Sequence, residues 1–167
     1  YRLPADVWIV LDYAYFEYVD APGYPDGIRL LERYPNLIVT RTFSKIHGLA
    51  ALRIGWAYCP PAIADVLNRV RGPFNVSAPA LAAAEAALAD RSHVEASRAH
   101  NAKWRQWFLD RLAALGIEGR PSGGNFVLVR FGDVDAAVAA LNARGVIPRR
   151  MAAYGLPDCL RITVGTG

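Results

Sequence analysis

The segment NLIVTRTFSKIHGLAALRIG, residues 36–55, contains the most informative pattern in this sequence. Its first nine residues are mainly apolar and β-branched, which predicts a buried strand over 36–44. Lys45 follows this strand directly, in a turn with Ser44, and a glycine-containing loop leads from there to Arg53. Burial makes a lysine amine easier to deprotonate and so available as a nucleophile toward an aldehyde. A lysine at a strand end is, however, more often a plain surface residue.

Predicted strands and helices alternate on both sides of this segment. Short apolar runs bounded by turn residues predict strands, and apolar residues at helical spacing predict helices. The predicted strands lie at 6–12, 36–44, 51–59, 123–131, 146–150 and 159–165. The predicted helices lie at 26–34, 62–72, 80–90, 92–115 and 133–145. This order predicts an α/β fold, with a mainly parallel sheet and helices first and then a small α/β unit of strand, helix, strand and strand.

The boundary between these two parts is predicted near residue 95, inside the long helix predicted at 92–115. Residues 1–95 and 96–167 are therefore expected to belong to two domains, the second of them incomplete. The chain starts at Tyr1 without a methionine and stops at Gly167 directly after a predicted strand. A domain rarely starts and ends so abruptly, so we expect a fragment of a longer protein. The strand at 6–12 is nearly all apolar, which is typical of a strand covered on both faces.

The composition favours a packed protein with a small-molecule ligand. Hydrophobic residues make up 53% and charged residues 20% of the chain, the net charge is +4 and the pI is about 9.3. The basic residues are scattered, with only Arg149 and Arg150 adjacent, which argues against a nucleic-acid partner and fits small anionic ligands.

Two further features concern the compartment. Cys59 and Cys159 lie far apart without metal-ligand spacing, which indicates reduced thiols in a cytoplasmic protein and no metal site. The most apolar stretch, 49–67, contains charged residues and two prolines, which argues against a membrane span. We therefore expect a protein with no membrane partner.

Asp12 ends the strand predicted at 6–12, just as Lys45 follows the strand at 36–44. In a parallel sheet ligands gather at the carboxyl ends of strands, so both side chains are expected at one site. A pyridoxal-phosphate enzyme requires this combination, because an aspartate must keep the pyridine nitrogen protonated while the ring withdraws electrons. An aspartate at such a position can also simply cap a turn.

Three motifs, taken together, resemble a known family. TFSKIHGLAALRIG (42–55) is similar to the lysine motif of fold-type I, class I/II pyridoxal-phosphate-dependent aminotransferases, especially the histidinol-phosphate aminotransferase group. VLDYAYFEY (10–18) resembles the aspartate motif of that group, and GVIPRRMAAYGLPDCLRITVGTG (145–167) resembles its C-terminal end. Because the motifs are spread over the whole chain in the family's order, the resemblance is specific.

The resemblance implies a role for each residue that matches a cofactor-binding position. Lys45 would hold pyridoxal 5'-phosphate as a Schiff base and move a proton during the reaction. Asp12 would pair with the pyridinium nitrogen, and Tyr15 would donate a hydrogen bond to the phenolate oxygen of the cofactor. Ser44 and Arg53 would bind the cofactor phosphate, Arg53 through charge-assisted hydrogen bonds.

The resemblance also implies that Arg161 binds the anionic group of the substrate and that Arg149 assists with a substrate phosphate. Arg161 lies between two apolar residues of a predicted strand, and a buried arginine needs an anion. His47 stands where the family often has an aromatic residue, and we expect it to pack near the site. Tyr13 stands where the motif commonly has glutamate, which bears on substrate choice rather than on the cofactor.

The reaction implied is transfer of an amino group between a phosphorylated amino alcohol, L-histidinol phosphate, and 2-oxoglutarate, in a homodimeric full-length enzyme of histidine biosynthesis. Alternatives within the group are an aromatic amino-acid aminotransferase and a threonine-phosphate decarboxylase. An alternative from another class is the aminotransferase-like effector domain of a transcription regulator. The family's upstream half, which this chain does not include, supplies a phosphate loop, a ring-stacking aromatic residue and an asparagine.

Overall fold

The computed structural model describes Pro4 and residues 6–166 of the chain. Alternating strands and helices confirm the predicted α/β class. The chain divides into two compact units, residues 1–95 and residues 96–167, and the division falls inside a long helix. The resemblance implies that the first unit is the C-terminal part of the cofactor-binding large domain and that the second is an incomplete small C-terminal domain, and this assignment stays a prediction.

The first unit contains a three-stranded sheet with the strand order β1–β2–β3. Its strands are β1 (Ile9–Asp12), β2 (Leu37–Thr42) and β3 (Gly55–Tyr58). Its helices are α1 (Gly27–Leu31), α2 (Pro61–Val70), α3 (Ala78–Ala89) and the first turn of α4 (Arg91–Ala114), with single 3-10 turns at Phe16–Tyr18 and Ala50–Leu52.

Strands β1 and β2 are parallel, and their register pairs Asp12 with Thr40. Beyond the last pair, the Tyr13 backbone N–H donates to the Thr40 carbonyl over 2.9 Å. Both strands therefore end at the same edge of the sheet, as the sequence predicted. The residues that follow β1 and β2 are brought together at this edge.

The third strand differs from the prediction in length and direction. The sequence predicted a strand over 51–59, but only Gly55–Tyr58 is extended and Ala50–Leu52 forms a 3-10 turn. Strand β3 pairs antiparallel with β2. A parallel pair needs a crossover of a dozen or more residues, usually through a helix. The link after β2, residues 43–54, contains one 3-10 turn and no α-helix that could cross the sheet, so the chain returns alongside the strand it has just left.

Strand β1 also differs from the prediction, because the described residues cover only one of its faces. Val10 is 59% exposed and Asp12 is exposed, whereas Ile9 and Leu11 are half-buried. On the covered face these two side chains pack with Tyr13, Leu37 and Val39, which form the centre of one core cluster.

A second core cluster in this unit supports the chain that follows β2. Phe43 and Ile54, which flank the loop of residues 44–53, pack against Ala80 and Ala84 of α3. The small alanines let α3 approach the loop closely. Ser77 begins α3 as its N-cap and accepts a hydrogen bond from the Ala80 backbone N–H.

The second unit is a four-stranded antiparallel sheet with the order β4–β5–β7–β6. Its elements are β4 (Gly119–Pro121), β5 (Phe126–Arg130), α5 (Val134–Asn142), β6 (Arg149–Arg150) and β7 (Cys159–Thr163). Strand β4 was not predicted, because glycine and proline within three residues are typical of a turn, although proline is tolerated in an edge strand. Leu112 of α4 packs against Val127 and Val129 in the core of this unit.

The close approach of β2 and β3 gives a stability prediction. A Cβ at Gly55 would lie 2.6 Å from the Arg41 carbonyl oxygen, which is backbone and cannot move aside. We expect Gly55→Ala to destabilise the intact protein by about 1–3 kcal/mol, the usual cost of overpacking. Chemical denaturation measures the effect. The control is Gly72→Ala, since a Cβ at Gly72 has nothing within 4 Å, and equal stability losses in both variants would contradict the prediction.

Candidate active site

Lys45 lies in a hydrogen-bonded turn immediately after β2. Ser44 donates its backbone N–H to Thr42 Oγ1 over 3.0 Å, and Gly48 donates its backbone N–H to the Lys45 carbonyl over 3.0 Å. The neighbours Phe43 and Ile46 are buried, while Lys45 itself is half-buried. The turn therefore anchors the backbone on both sides of Lys45 and leaves its amine accessible.

Asp12 and Tyr15 lie on the segment that leaves the same sheet edge from β1. Asp12 Oδ1 accepts a hydrogen bond from the Ala14 backbone N–H over 3.0 Å, so this carboxylate does cap a turn. Within the described part of the chain it forms no ion pair, and it has further lone pairs to accept a proton donor. Lys45 Nζ lies 5.5 Å from the centre of the Tyr15 ring. The amine and the phenol thus line one small region.

Arg53 adopts a left-handed backbone conformation with φ of 52°. This conformation costs a residue other than glycine about 1–2 kcal/mol. Its Nη1 donates to Ser44 Oγ over 3.2 Å and to the Ala50 carbonyl over 2.8 Å. No carboxylate of the described residues lies in ion-pair distance of this guanidinium. Arg53 and Ser44 therefore offer a cation and a hydroxyl side by side, which suits an anion.

The groups of the first unit fit the cofactor that the sequence resemblance implies. An amine, a carboxylate and a phenol follow the ends of two adjacent parallel strands, and an exposed arginine reaches the serine beside the amine. Pyridoxal phosphate presents an aldehyde, a ring nitrogen, a phenolate and a phosphate, one for each of these groups.

His47 packs near the lysine turn, as expected. Its ring centre lies 5.0 Å from that of Phe43, and its Nδ1 is buried without a hydrogen-bond partner among the described residues. Burial of the imidazole lowers the pKa of His47; the carboxylate of Glu17 opposes this effect and His93 adds to it. Burial therefore favours the neutral imidazole of His47 over the charged form.

Tyr13, the departure from the family's glutamate, is a packing residue in this structure. Its hydroxyl donates to the Pro25 carbonyl over 3.0 Å, and its ring stacks on Phe16 with centres 5.2 Å apart. Burial raises the pKa of the Tyr13 phenol. Tyr13 thus holds the loop of Pro25 against the sheet.

Arg41 and Glu17 form an ion pair that was not predicted from the sequence. Arg41 Nη1 donates to Glu17 Oε1 over 2.9 Å beneath the segment that carries Tyr15. The available signal was an arginine in the middle of an apolar strand, which predicts a buried cation with a partner. The partner could not be identified from the sequence, because 24 residues separate the two side chains.

In the second unit, Arg149 of β6 and Arg161 of β7 are directly opposite each other in the antiparallel pair. Like charges opposite each other across strands are destabilising. The Arg161 guanidinium stacks over Phe126 at 5.0 Å, and its Nε is buried with no acceptor among the described residues. An anion that bound both guanidinium groups would relieve the repulsion and satisfy the buried donor.

The two adjacent arginines of β6 have different partners. Arg150 Nη2 pairs with Asp135 Oδ1 over 2.6 Å. Arg149 instead donates from Nη2 to the hydroxyl of Tyr154 over 3.2 Å, and no carboxylate of the described chain lies in ion-pair distance. Arg149 therefore keeps its charge available, and Tyr154 orients it.

Among Pro4 and residues 6–166, no three histidine, cysteine, aspartate or glutamate side chains converge in a way that could hold a metal ion. Within the same residues, no helix combines the length and the apolarity needed to cross a membrane.

Comparison with known proteins identifies the family. The model of the aminotransferase class I and II family matches residues 3–167. The chain belongs to this family, and its α/β fold is the fold of the family's solved members.

Within the family, the chain is similar to histidinol-phosphate aminotransferases. It is 56% identical over 166 residues to the one from Dinoroseobacter shibae, covering 98% of this chain and 45% of that relative. It is 54% identical over 167 residues to the one from Rhodospirillum centenum, covering 98% of this chain and 46% of that relative. The crystal structure of the Sinorhizobium meliloti enzyme in complex with pyridoxal-5'-phosphate matches 97% of this chain and 45% of its own, with a TM-score of 0.80 and 34% identity. The chain thus spans about half the length of these relatives.

The environment of His47 gives a pH prediction. Because the pKa of His47 is lowered in the fold, the unfolded chain binds this proton more readily below about pH 6.5. The stability contributed by burial of the neutral imidazole is therefore fully present above about pH 6.5 and is lost as the pH falls toward the pKa of His47 in the folded state. We expect His47→Phe, which removes the buried Nδ1, to flatten the decline in unfolding free energy of the intact protein below about pH 6.5.

Denaturation curves between pH 5 and 7, a range centred near the histidine pKa of about 6 to 6.5, measure this slope. The control is His100→Phe, which changes a histidine that bonds the Gly165 carbonyl far along the chain from the lysine turn. If wild type and His47→Phe lose stability equally as the pH falls, the prediction is wrong.

Proposed function

We propose that the protein to which these residues belong is a pyridoxal-phosphate-dependent aminotransferase. In this proposal it transfers an amino group between L-histidinol phosphate and 2-oxoglutarate in histidine biosynthesis. The observation that carries the proposal is the common sheet edge of Asp12 and Lys45, created by the parallel pair β1–β2. The family of the chain, and the histidinol-phosphate aminotransferases to which it is 54–56% identical, support the reaction.

The proposed roles in the first unit follow from what each group can do. Lys45 holds the cofactor covalently through Nζ, from a turn whose backbone is fixed on both sides. Asp12 keeps a proton on the ring nitrogen of the cofactor through its free lone pairs. Tyr15 donates a hydrogen bond from its hydroxyl to the phenolate oxygen. Arg53 and Ser44 bind the phosphate with a charged and a neutral donor.

When bound, pyridoxal phosphate withdraws electrons from the bonds of the substrate carbon that carries the amino group. Lys45 would perform the proton transfer: once released from the cofactor by the substrate amine, Nζ would accept a proton from the substrate carbon and donate it to the aldehyde carbon of the cofactor. Tyr15 lies beside the amine, with its ring centre 5.5 Å from Nζ, and helps to keep the amine in place.

The proposed substrate residues are Arg161 and Arg149 in the second unit. The two substrates differ in their anionic groups, since histidinol phosphate has a phosphate and 2-oxoglutarate has carboxylates. A guanidinium can bind either type of anion through two parallel hydrogen bonds. Arg161, with a buried Nε that lacks an acceptor in the described chain, is proposed to serve both half-reactions. Arg149 is proposed to serve mainly the phosphate, with its larger charge.

We also propose that the full-length protein is a cytoplasmic homodimer. The free thiols Cys59 and Cys159 support a reducing compartment. Exposed apolar side chains, among them Phe74 at 97% and Val70 at 73%, support a surface that a second copy covers.

Covalent labelling tests the attachment site. The chain contains two lysines, Lys45 and Lys103. Borohydride reduction of the full-length protein with its cofactor, followed by peptide mapping, should leave the pyridoxyl group on Lys45. Lys45→Ala should bind the cofactor without a covalent bond and lose amino transfer. The control Lys103→Ala should keep the label and the activity, and a label on any lysine other than Lys45 would overturn the proposal.

Single-turnover kinetics of each half-reaction in the full-length enzyme test the arginine roles. Arg149→Ala should slow mainly the histidinol-phosphate half-reaction, by raising its activation free energy by about 1.5–3 kcal/mol for one lost charged hydrogen bond. Arg161→Ala should weaken both half-reactions. The matched control is Arg150→Ala, which removes the neighbouring arginine that pairs with Asp135 and should leave both rates near wild type.

Two results would redirect the proposal. If Arg149→Ala damages the 2-oxoglutarate half-reaction as severely as the other, the phosphate role of Arg149 is wrong. If histidinol phosphate reacts no faster than phenylalanine, the enzyme is an aromatic amino-acid aminotransferase instead.

A further inference from the structure

Arg41 is a buried cation held by a carboxylate. Its side chain, in the middle of β2, is 10% exposed, and that of its partner Glu17 is 18% exposed. Nη1 donates to Glu17 Oε1 over 2.9 Å, and Nη2 lies 4.0 Å from Asp26 Oδ1, which caps α1. A pair buried to this extent is costly to separate, because removing either partner takes away the opposite charge that offsets the desolvation of the other.

Aromatic rings surround the same guanidinium. Its central carbon lies 3.6 Å from the centre of the Phe16 ring, 5.5 Å from that of Trp56 and 5.6 Å from that of Tyr13. The planar guanidinium of arginine can lie flat against an aromatic face, whereas the ammonium of lysine acts there only as a point charge. Arg41 thus joins β2 both to the ring of Phe16 and to the carboxylate of Glu17.

Phe16 and Glu17 are consecutive residues of the 3-10 turn Phe16–Tyr18, and Tyr15 is the residue that begins this turn. The turn is closed by the Tyr18 backbone N–H, which donates to the Tyr15 carbonyl over 3.0 Å. The Tyr15 ring in turn lies near Lys45, with 5.5 Å between the ring centre and Nζ. Because Arg41 contacts two of the three residues of the turn, it fixes the direction in which the chain presents Tyr15.

We propose that Arg41 is a positioning residue of the active site, which acts through Glu17 and Phe16 to hold Tyr15 against Lys45. The inference rests on the proposed function, in which Tyr15 donates to the cofactor. Without the Arg41 charge, Glu17 loses its ion pair at a buried position, and the favourable response is for the turn to rotate the carboxylate toward water. Tyr15 moves with the turn.

The first test observes Tyr15 directly in the full-length protein stripped of cofactor. 3-Fluorotyrosine is introduced at position 15, and its fluorine NMR signal is compared in wild type, Arg41→Gln and Arg69→Gln. Arg69 is the matched control, because it forms an ion pair with Asp65 on an exposed surface of the same unit. We expect Arg41→Gln to shift or broaden the signal and Arg69→Gln to leave it unchanged. An unchanged signal in Arg41→Gln would overturn the inference.

The second test measures amino transfer in the loaded full-length enzyme. Misplacement of a catalytic group by about 1 Å lowers rates by as much as about a hundredfold, so we expect Arg41→Gln to reduce kcat by about ten- to a hundredfold with KM nearly unchanged. Arg41→Lys, which keeps the charge but not the planar stack, should be intermediate. In a Tyr15→Phe background Arg41→Gln should cause little further loss, because both changes remove the same contribution.

The outcomes separate this inference from the proposed function. A kcat within about twofold of wild type in Arg41→Gln, or full additivity with Tyr15→Phe, would overturn the role of Arg41 while Lys45 labelling still stood. Absence of the label from Lys45 would overturn the proposed function itself. If Arg41→Gln fails to fold, Glu17→Gln interrupts the same connection with an isosteric neutral group. It must then show the shifted fluorine signal and the lower kcat, or the inference is wrong.

Discussion

The parallel pairing of β1 and β2 is the constraint on which the candidate site depends. Its register pairs Asp12 with Thr40, so the chain leaves both strands at one edge. A one-residue slip would turn every side chain of β1, including that of Asp12, to the other face of the sheet. The buried side chains of Leu37 and Val39 make such a slip costly. The core of the first unit therefore specifies where its polar groups meet.

Five arginines described above fall into two groups according to their partners. Arg41 and Arg150 each contact a carboxylate within 3 Å. Arg53, Arg149 and Arg161 have no such partner in the described chain and instead contact a hydroxyl, a carbonyl or an aromatic ring. The first group neutralises charge within the fold, and the second group is the one proposed to bind anions.

The sequence was sufficient for the features that depend on local pattern. It predicted the α/β class and the shared edge of Asp12 and Lys45, because apolar runs mark buried strands and each residue directly follows such a run. The sequence was not sufficient for features that depend on which strands or side chains pair with each other. The antiparallel direction of β3 and the register that opposes Arg149 to Arg161 are set by tertiary contacts. The Arg41–Glu17 pair was missed for the same reason, since no local pattern links two residues that are 24 positions apart.

The opposition of Arg149 and Arg161 has a consequence for the thermodynamics of the second unit. Strand β6 has only two residues and lies at the sheet's edge, paired to β7 where these two arginines are opposite each other. An anion bound by both arginines, as the proposed function implies, would contribute its binding free energy to the fold, about 2.7 kcal/mol at a hundred times its Kd. The anions of the surrounding solution would then help to determine how firmly this edge strand is held, and a higher ionic strength would weaken both the repulsion between the arginines and their attraction for the anion.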